Sequence, residues 1–231
     1  MLLETFIDAA PIVYSGLRLT VIITICSFLL GQFLALPTAL ALCASSLALS
    51  APVKAYTFFF RGSPLLVQLF IVYYGLGQVS LIRHSFLWPV IREPLNCAIL
   101  AIGLNSAAYS AEVLAGGIRS IPVGQIEACK ALGMHTVLSL WKVVLPQAYR
   151  AILPSIANES ILVLKASSLA SAVTLMDITG AARAFTAKTY APFEVFIVAA
   201  LVYLALGLIF GHFFSALERR LEIGQPRLLP R

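Results

Sequence analysis

Between two long apolar runs the chain reads Glu127-Ala-Cys-Lys-Ala-Leu-Gly133-Met-His-Thr-Val-Leu-Ser-Leu-Trp-Lys-Val-Val-Leu145-Pro146, a stretch that is half polar. Its first part is rich in helix-forming residues, Gly133 permits a left-handed bend, and Thr136 can cap a second short helix that ends before Pro146. The pattern therefore predicts two short helices joined at a glycine. Because they are too short to span a bilayer, we expect them to lie against the membrane surface.

The composition is that of a membrane protein. The 231 residues are 60% hydrophobic and only 11% charged, whereas soluble domains carry about 25% charged residues. The net charge of +6 forms no basic block, so membrane topology explains it better than nucleic-acid binding. Runs of about 20 apolar residues predict an all-α, polytopic protein, a single domain over residues 1–231. Its five predicted spans are roughly Leu17–Cys43, Ser63–Ile82, Leu95–Ile118, Asn158–Leu175 and Phe193–Leu217.

The positive charges predict the orientation of these spans. With the C-terminus in the cytoplasm, ten Lys and Arg residues lie inside and five outside, which is the bias of the positive-inside rule. The inside set is Lys54, Arg61, Arg119, Lys130, Lys142, Arg150, Arg219, Arg220, Arg227 and Arg231, and the outside set is Arg18, Arg83, Arg92, Arg183 and Lys188. The N-terminus is then periplasmic, and the half-polar stretch is cytoplasmic, between the third and fourth spans.

The sequence carries no signature of an enzyme. It contains neither a G-x-x-x-x-G-K-[ST] phosphate loop nor any Gly-Lys pair, so we expect no ATP hydrolysis by this chain. The three histidines are far apart in sequence, and the four cysteines have no metal-ligand spacing. We therefore expect no catalytic residues, no metal and no cofactor in this chain.

The half-polar stretch resembles a motif of the permease subunits of bacterial ABC importers, which reads E-A-A, three residues, G, nine residues, I, one residue, L-P. The spacing is kept here, with conservative replacements at Cys129 and Val143. The resemblance implies a cytoplasmic coupling element formed by Glu127, Ala128, Cys129, Gly133, Leu145 and Pro146. We expect Glu127 near the first turn of its helix, where it complements the helix dipole. The alternative, a plain amphipathic surface helix, gives no cause for the spacing.

Other segments resemble the polar amino acid branch of these permeases. They include Phe60-Arg-Gly-Ser-Pro-Leu-Leu-Val-Gln68 and Asn158-Glu-Ser-Ile-Leu-Val-Leu-Lys-Ala-Ser-Ser-Leu169, although Ala166 departs from the K-[DS]-[TS]-[ST]-L pattern of that branch. The pair Asn158-Glu159 and the segment Arg83-His-Ser-Phe-Leu-Trp-Pro are most similar to histidine, arginine and opine permeases. The expected solute is therefore a polar, basic amino acid or an arginine-derived opine.

The resemblance also implies the partners of the chain. A second permease subunit, homologous or identical, faces this one, and two cytoplasmic ATPase subunits bind ATP and Mg and move the coupling helices. A periplasmic solute-binding protein delivers the solute, and the complex lies in the bacterial inner membrane. A competing hypothesis is an ion-coupled secondary amino acid transporter, against which five spans without an internal repeat argue. A scaffold that transports nothing would leave the motif unexplained.

Two carboxylates fall within predicted spans and are candidates for the substrate pathway. An intramembrane carboxylate costs about 2.5–3.5 kcal/mol and is normally paired or placed along a water-filled path. Glu159, beside Asn158, either receives a cationic solute or forms a salt bridge within the bundle. For Glu112 a gating or packing role is favoured. Lys165, Ser167 and Ser168 either line the pathway or bond between helices, and for them packing is slightly favoured.

Overall fold

The computed structural model describes residues 2–86 and 88–221, and every regular element in these ranges is helical. Leu87, Arg227 and Arg231, to which the sequence interpretation referred, lie outside the described residues. The α-helices are α1 Leu2–Ser15, α2 Leu17–Leu42, α3 Leu47–Gly62, α4 Leu65–Phe70, α5 Ser80–Arg83, α6 Trp88–Ile91, α7 Pro94–Arg119, α8 Val123–Ala131, α9 Thr136–Ser139, α10 Leu145–Ser167, α11 Ile178–Thr189 and α12 Pro192–Leu221.

Four helical stretches of the described chain are long and apolar enough to cross a membrane, and a fifth qualifies if a sharply bent pair counts as one span. The straight ones are Leu17–Leu42, Pro94–Arg119, Thr136–Val173 and Pro192–Arg220. The predicted first, third and fifth spans agree with these bounds closely. The prediction of an all-α, multi-pass fold is therefore confirmed, and the orientation and single-domain boundary remain predictions.

The predicted second span is wrong in its bounds and its shape. Instead of one straight helix over Ser63–Ile82, α3 and the helical stretch Leu65–Gln78 meet at a bend of 108°. Ser63 is extended, with φ −108° and ψ 149°, because Pro64 disfavours helical geometry in the residue before it. Two basic residues, Lys54 and Arg61, lower the apparent hydropathy of α3, so the sequence interpretation placed it in a loop.

The predicted fourth span is wrong at its start. The short helix α9 continues through a π-helical turn, Leu140–Val144, directly into α10, so the helix neither stops before Pro146 nor begins again at Asn158. Pro146 lies in the first turn of α10. A wider turn in front of a proline relieves the clash of its ring with the carbonyl four residues back, and this allows the helix to continue.

The half-polar stretch folds as predicted at its bend and differs at its caps. Gly133 has φ +75°, the left-handed conformation that glycine adopts without steric cost. The cap of α9 is His135 rather than Thr136, since the His135 Nδ1 accepts a hydrogen bond from the Leu138 N–H at 3.3 Å. Glu127 lies in the middle of α8 and not in its first turn, because α8 already begins at Val123.

The N-terminal helix α1 was not predicted as a separate element. It packs with α11 and α12 around a buried apolar cluster that includes Val13, Ile178 and Val195. The helix α11 lies between the predicted fourth and fifth spans and buries one face, which includes Ile178 and Ala182. The spans α2 and α7 form the centre of the bundle, where small side chains such as Ala39 and Ala111 permit close packing.

A buried carboxylate, Asp177, fixes the end of the bundle opposite α8. It caps α11 by accepting hydrogen bonds from the N–H groups of Gly180 at 3.0 Å and Thr179 at 3.2 Å, and the Tyr203 hydroxyl donates to it at 3.0 Å. Burial raises the pKa of the Asp177 carboxyl, whereas these hydrogen bonds favour its ionised form. The backbone of Asp177 also packs directly against Gly16, at the junction of α1 and α2.

This packing predicts that Gly16→Ala destabilises the protein. A Cβ at this position would lie 2.3–2.5 Å from backbone atoms of Asp177 and Ile178, so the helices must separate, at a cost of about 1–3 kcal/mol. We expect a lower melting temperature of the purified protein in detergent. The matched control is Gly211→Ala, where a Cβ meets nothing within 4 Å. Equal melting of the two variants would contradict this account of the junction.

Candidate functional site

A cavity of about 220 Å³ lies between α4, α7 and α10. All three helices belong to spans or to the bent pair, so the cavity is at membrane depth. Its walls combine apolar groups with a carboxylate, an amide and two hydroxyls: Leu65, Ile102, Asn105, Ser106, Tyr109, Glu159, Leu162, Val163 and Ala166. A small concave site with few polar groups on an apolar wall is typical of small-molecule binding.

Two polar groups of the cavity lie side by side. Ser106 is 1% exposed, and its hydroxyl lies next to the Glu159 carboxyl, although not in ideal hydrogen-bond geometry. Glu159 itself makes no ion pair among the described residues. A carboxylate accepts several hydrogen bonds, so a polar or cationic ligand in the cavity would gain free energy from Glu159.

The bend between α3 and α4 is closed by two amide side chains. Gln68 donates to the carbonyl of Phe60 at 2.8 Å and to the carbonyl of Ser63 at 3.0 Å, and Asn105 also donates to Phe60 at 2.8 Å. The two amides bond to each other at 3.0 Å. At membrane depth no water replaces a lost helical hydrogen bond, so these bonds hold the broken helix against α7.

Glu112 lies in a polar cluster between α3 and α7, beside the cavity. Its Oε1 accepts a hydrogen bond from the Thr57 hydroxyl at 2.8 Å and lies 3.5 Å from Arg61 Nη1. The Arg61 guanidinium carbon is 5.5 Å from the centre of the Tyr109 ring, and the Tyr109 hydroxyl donates to the Arg61 carbonyl at 3.2 Å. Arg61, counted with the loop charges from the sequence, thus packs against a membrane span.

The predicted pathway residues separate into three groups in the structure. Glu159 lines the cavity, and Glu112 belongs to the neighbouring cluster with Arg61. Asn158 and Lys165 are exposed on other faces of α10 and do not line the cavity. The hydroxyls of Ser167 and Ser168 donate to backbone carbonyls one turn earlier, at 2.7 Å each. Within the described chain, no cluster of three or more His, Cys, Asp and Glu side chains could hold a metal ion.

Sequence reasoning missed Asn105, Tyr109 and Gln68. A signal was present, since Asn105 and Tyr109 are polar residues four positions apart in a largely apolar span, and such residues share one face of a helix. Gln68 lies in a segment that was interpreted as part of a straight helix. In a straight helix all backbone carbonyls are bonded, so no role for an amide side chain was expected.

A second site is the outer surface of residues 123–144, which comprise α8, α9 and the π-helical turn after α9; we call it the docking surface. It exposes large apolar side chains, with Leu132 81% exposed and Trp141 54% exposed. Glu127, Ala128 and Gly133 are exposed on this element, whereas Cys129 is turned inward and buried. Of the two last motif residues, Leu145 is buried and Pro146 is exposed.

The docking surface is linked to the membrane bundle at α10. Gln147, in the first turns of α10, donates to the Gln125 side chain of α8 at 2.7 Å. Just before α8, Arg119 at the end of α7 donates to the Leu42 carbonyl at 2.8 Å and so joins the ends of α7 and α2. Large apolar groups exposed on a projecting element indicate an interaction site for another protein.

A bundle of membrane spans with a polar cavity at membrane depth and a docking surface at one end defines the membrane component of a transport system. Residues 27–223 match the family described as binding-protein-dependent transport system inner membrane component, and the chain belongs to this family. It is therefore a transport subunit, the permease of an ABC importer, and the hypothesis of an ion-coupled secondary transporter is rejected.

Relatives with assigned names cover nearly the whole chain. The octopine transport system permease protein OccM of Rhizobium meliloti is 45% identical over 215 residues, 93% of this chain and 86% of the relative. The histidine/lysine/arginine/ornithine transport system permease protein HisM of Escherichia coli (strain K12) is 38% identical over 208 residues, 90% of this chain and 87% of the relative. The predicted branch of the family is thus confirmed.

Solved structures have the same fold. A chain of an amino acid ABC transporter crystallised with histidines aligns with a TM-score of 0.80 at 33% identity, over 93% of this chain and 96% of that chain. A chain of the MetNI methionine ABC transporter, in an inward-facing conformation, aligns with a TM-score of 0.76 at 20% identity, over 91% and 96%, and shows the fold alone.

The amide contacts at the bend predict that Gln68→Leu destabilises the protein. The change removes the donors to Phe60 and Ser63 and the acceptor for Asn105, and each buried group left unsatisfied costs about 1–3 kcal/mol. We expect lower yield in the membrane and a lower melting temperature in detergent. Gln78→Leu, at the exposed glutamine that ends the bent pair, is the control. A Gln68→Leu variant that melts like this control would show that the amide does not hold the bend.

Proposed function

We propose that the chain forms half of the membrane pathway for a polar, basic amino acid or an arginine-derived opine. The observation that carries this proposal is the Glu159 carboxylate on the wall of a cavity at membrane depth, without a protein cation to pair with it among the described residues. A carboxylate in this position attracts a cationic group, and the relatives named for octopine and for histidine, lysine, arginine and ornithine support a basic solute.

The proposed complex contains a second permease subunit, identical or homologous, and two ATPase subunits that bind ATP and Mg. A periplasmic solute-binding protein delivers the solute, and the complex lies in the bacterial inner membrane. This chain forms a single domain with its N-terminus in the periplasm and its C-terminus in the cytoplasm. In this orientation the docking surface lies in the cytoplasm, where ATP is available. The exposed apolar side chains of that surface support the ATPase as its partner.

Coupling to ATP hydrolysis runs along α10. The helix α9 on the docking surface and Glu159 in the cavity lie on one continuous helical rod. Between Pro146 and Glu159 this rod is about 20 Å long. A tilt of the docking surface, transmitted also through the bond between Gln125 and Gln147, therefore moves Glu159 relative to Asn105 and Ser106 on α7. This motion would open and close the cavity towards one side of the membrane.

The coupling proposal predicts that Gly133→Asp abolishes ATP-dependent uptake while the subunit remains in the membrane. The aspartate adds a charged side chain to an exposed apolar surface and strains a position at φ +75°. We expect partial uptake for Gly133→Asn, because asparagine adopts this conformation more readily and carries no charge. Normal uptake and normal stimulated ATPase activity in Gly133→Asp would rule out coupling through this surface.

The selectivity proposal predicts that Glu159→Gln weakens uptake of L-arginine about tenfold or more, as expected for losing a hydrogen bond to a charged group. Uptake of L-citrulline, its neutral counterpart of similar shape, should change far less. The measurement is uptake of both labelled solutes by the reconstituted complex with its binding protein. Glu93→Gln, at an exposed residue paired with Arg92, is the control. Equal loss for both solutes would remove Glu159 from selectivity.

A further inference from the structure

The guanidinium of Arg61 is a positive charge beside the cavity. The proposed function assigns no role to this charge. Arg61 lies in the last turn of α3, next to the bend, and its side chain is 44% exposed. It lies over the ring of Tyr109, which is itself part of the cavity wall. A cation thus lies behind one wall residue of the cavity, and the Glu159 carboxylate lies on the wall itself.

The two charges lie at different levels along the bundle. Glu159 lies beside Ser106, and Arg61 lies over the ring of Tyr109, which is three residues further along α7, a rise of about 4.5 Å. A solute between the two charges can therefore present a different end to each.

Arg61 can turn towards a ligand without leaving Glu112 unpaired. The contact between Arg61 and Glu112 is a single one of 3.5 Å, and Glu112 keeps the hydrogen bond from Thr57 at 2.8 Å. A guanidinium has five N–H donors in a planar fork that matches a carboxylate with two parallel bonds. The remaining donors of Arg61 are therefore suited to a carboxylate that enters the cavity.

We infer that Arg61 binds the α-carboxylate of the solute, while Glu159 holds its cationic end. The inference rests on the proposed function and deepens it, since it assigns the second end of the solute. Glu159 and Arg61 then complement the positive and the negative end of such a solute. A solute that lacks a carboxylate then binds more weakly because it loses the contact with Arg61, while its contact with Glu159 is unchanged.

Binding to the permease–ATPase complex in nanodiscs, without the binding protein, tests this inference. The probes are L-arginine and L-argininamide, which differ only at the carboxyl group. We expect wild-type complex to bind arginine at least tenfold more tightly than argininamide. In Arg61→Gln the affinity for arginine falls about tenfold while that for argininamide stays within twofold, so the preference disappears. Arg61→Lys retains part of it, because one ammonium replaces the fork.

Thr57→Val is the matched control, because it removes the other partner of Glu112 and leaves Arg61 in place; it should keep the preference for arginine. If Arg61→Gln weakens both probes equally, Arg61 acts only through the structure around Glu112, and the inference is wrong. If it weakens neither, the inference is also wrong. If wild-type complex binds neither probe, the proposed function fails. If wild-type complex binds both probes equally and Glu159→Gln abolishes this binding, the proposed function stands and only the role of Arg61 is overturned. Assembly of each variant is checked by size-exclusion chromatography, and Arg61→Lys decides the matter should Arg61→Gln not assemble.

Discussion

The bend between α3 and α4 sets the constraint on which the rest of this site depends. A helix that breaks at membrane depth exposes carbonyl groups that lipid cannot satisfy. The side chains of Gln68 and Asn105 take the place of the missing helical bonds. Because Asn105 lies on α7, the same contacts hold α4 against that span. The break therefore produces both a wall of the cavity, at Leu65, and the position of Arg61 beside it.

The two ends of the bundle differ in how closely their helices are packed. At the end that carries α11, the buried Asp177 joins α11 and α12 while its backbone packs against Gly16, so four helices meet in close contact. At the other end, the docking surface projects from the bundle on α8 and α9 and is linked to α10 through one side-chain bond and a π-helical turn. Rigid packing at one end and a helical lever at the other allow α10 to move relative to α7.

Much of the fold could be predicted from the sequence, because a straight membrane span is determined by length and hydropathy alone. The spans α2, α7 and α12 were found for this reason. The bend at Ser63 was missed, since Lys54 and Arg61 made α3 resemble a loop, and the spacing of apolar residues does not reveal a change of direction. Pro146 was read as a stop because the π-helical turn that accommodates it leaves no pattern in the sequence.

The site was predictable only where a charge falls inside a span. Glu159 was found because a carboxylate within the bilayer is costly and is therefore normally paired or functional. The structure places it on the cavity wall. Its neighbour Asn158 points elsewhere, since adjacent helical positions face different directions, and Lys165, six residues on, lies about 240° round the helix. Asn105 and Tyr109 are neutral, and Arg61 comes to the cavity only through the bend, so no local pattern could identify it.

The central claim is that the solute passes through the cavity between α4, α7 and α10. The most direct measurement is the rate at which a membrane-impermeant, charged thiol reagent labels Leu162→Cys, at an exposed position on the cavity wall, in a chain whose four native cysteines are replaced by alanine. The rate is measured with and without saturating L-arginine. Ser110→Cys, at a buried position on α7 that is bonded to Gln32 of α2, is the control. The account predicts labelling at Leu162→Cys that arginine slows strongly, and little labelling at Ser110→Cys. Labelling of Leu162→Cys that arginine leaves unchanged would contradict it.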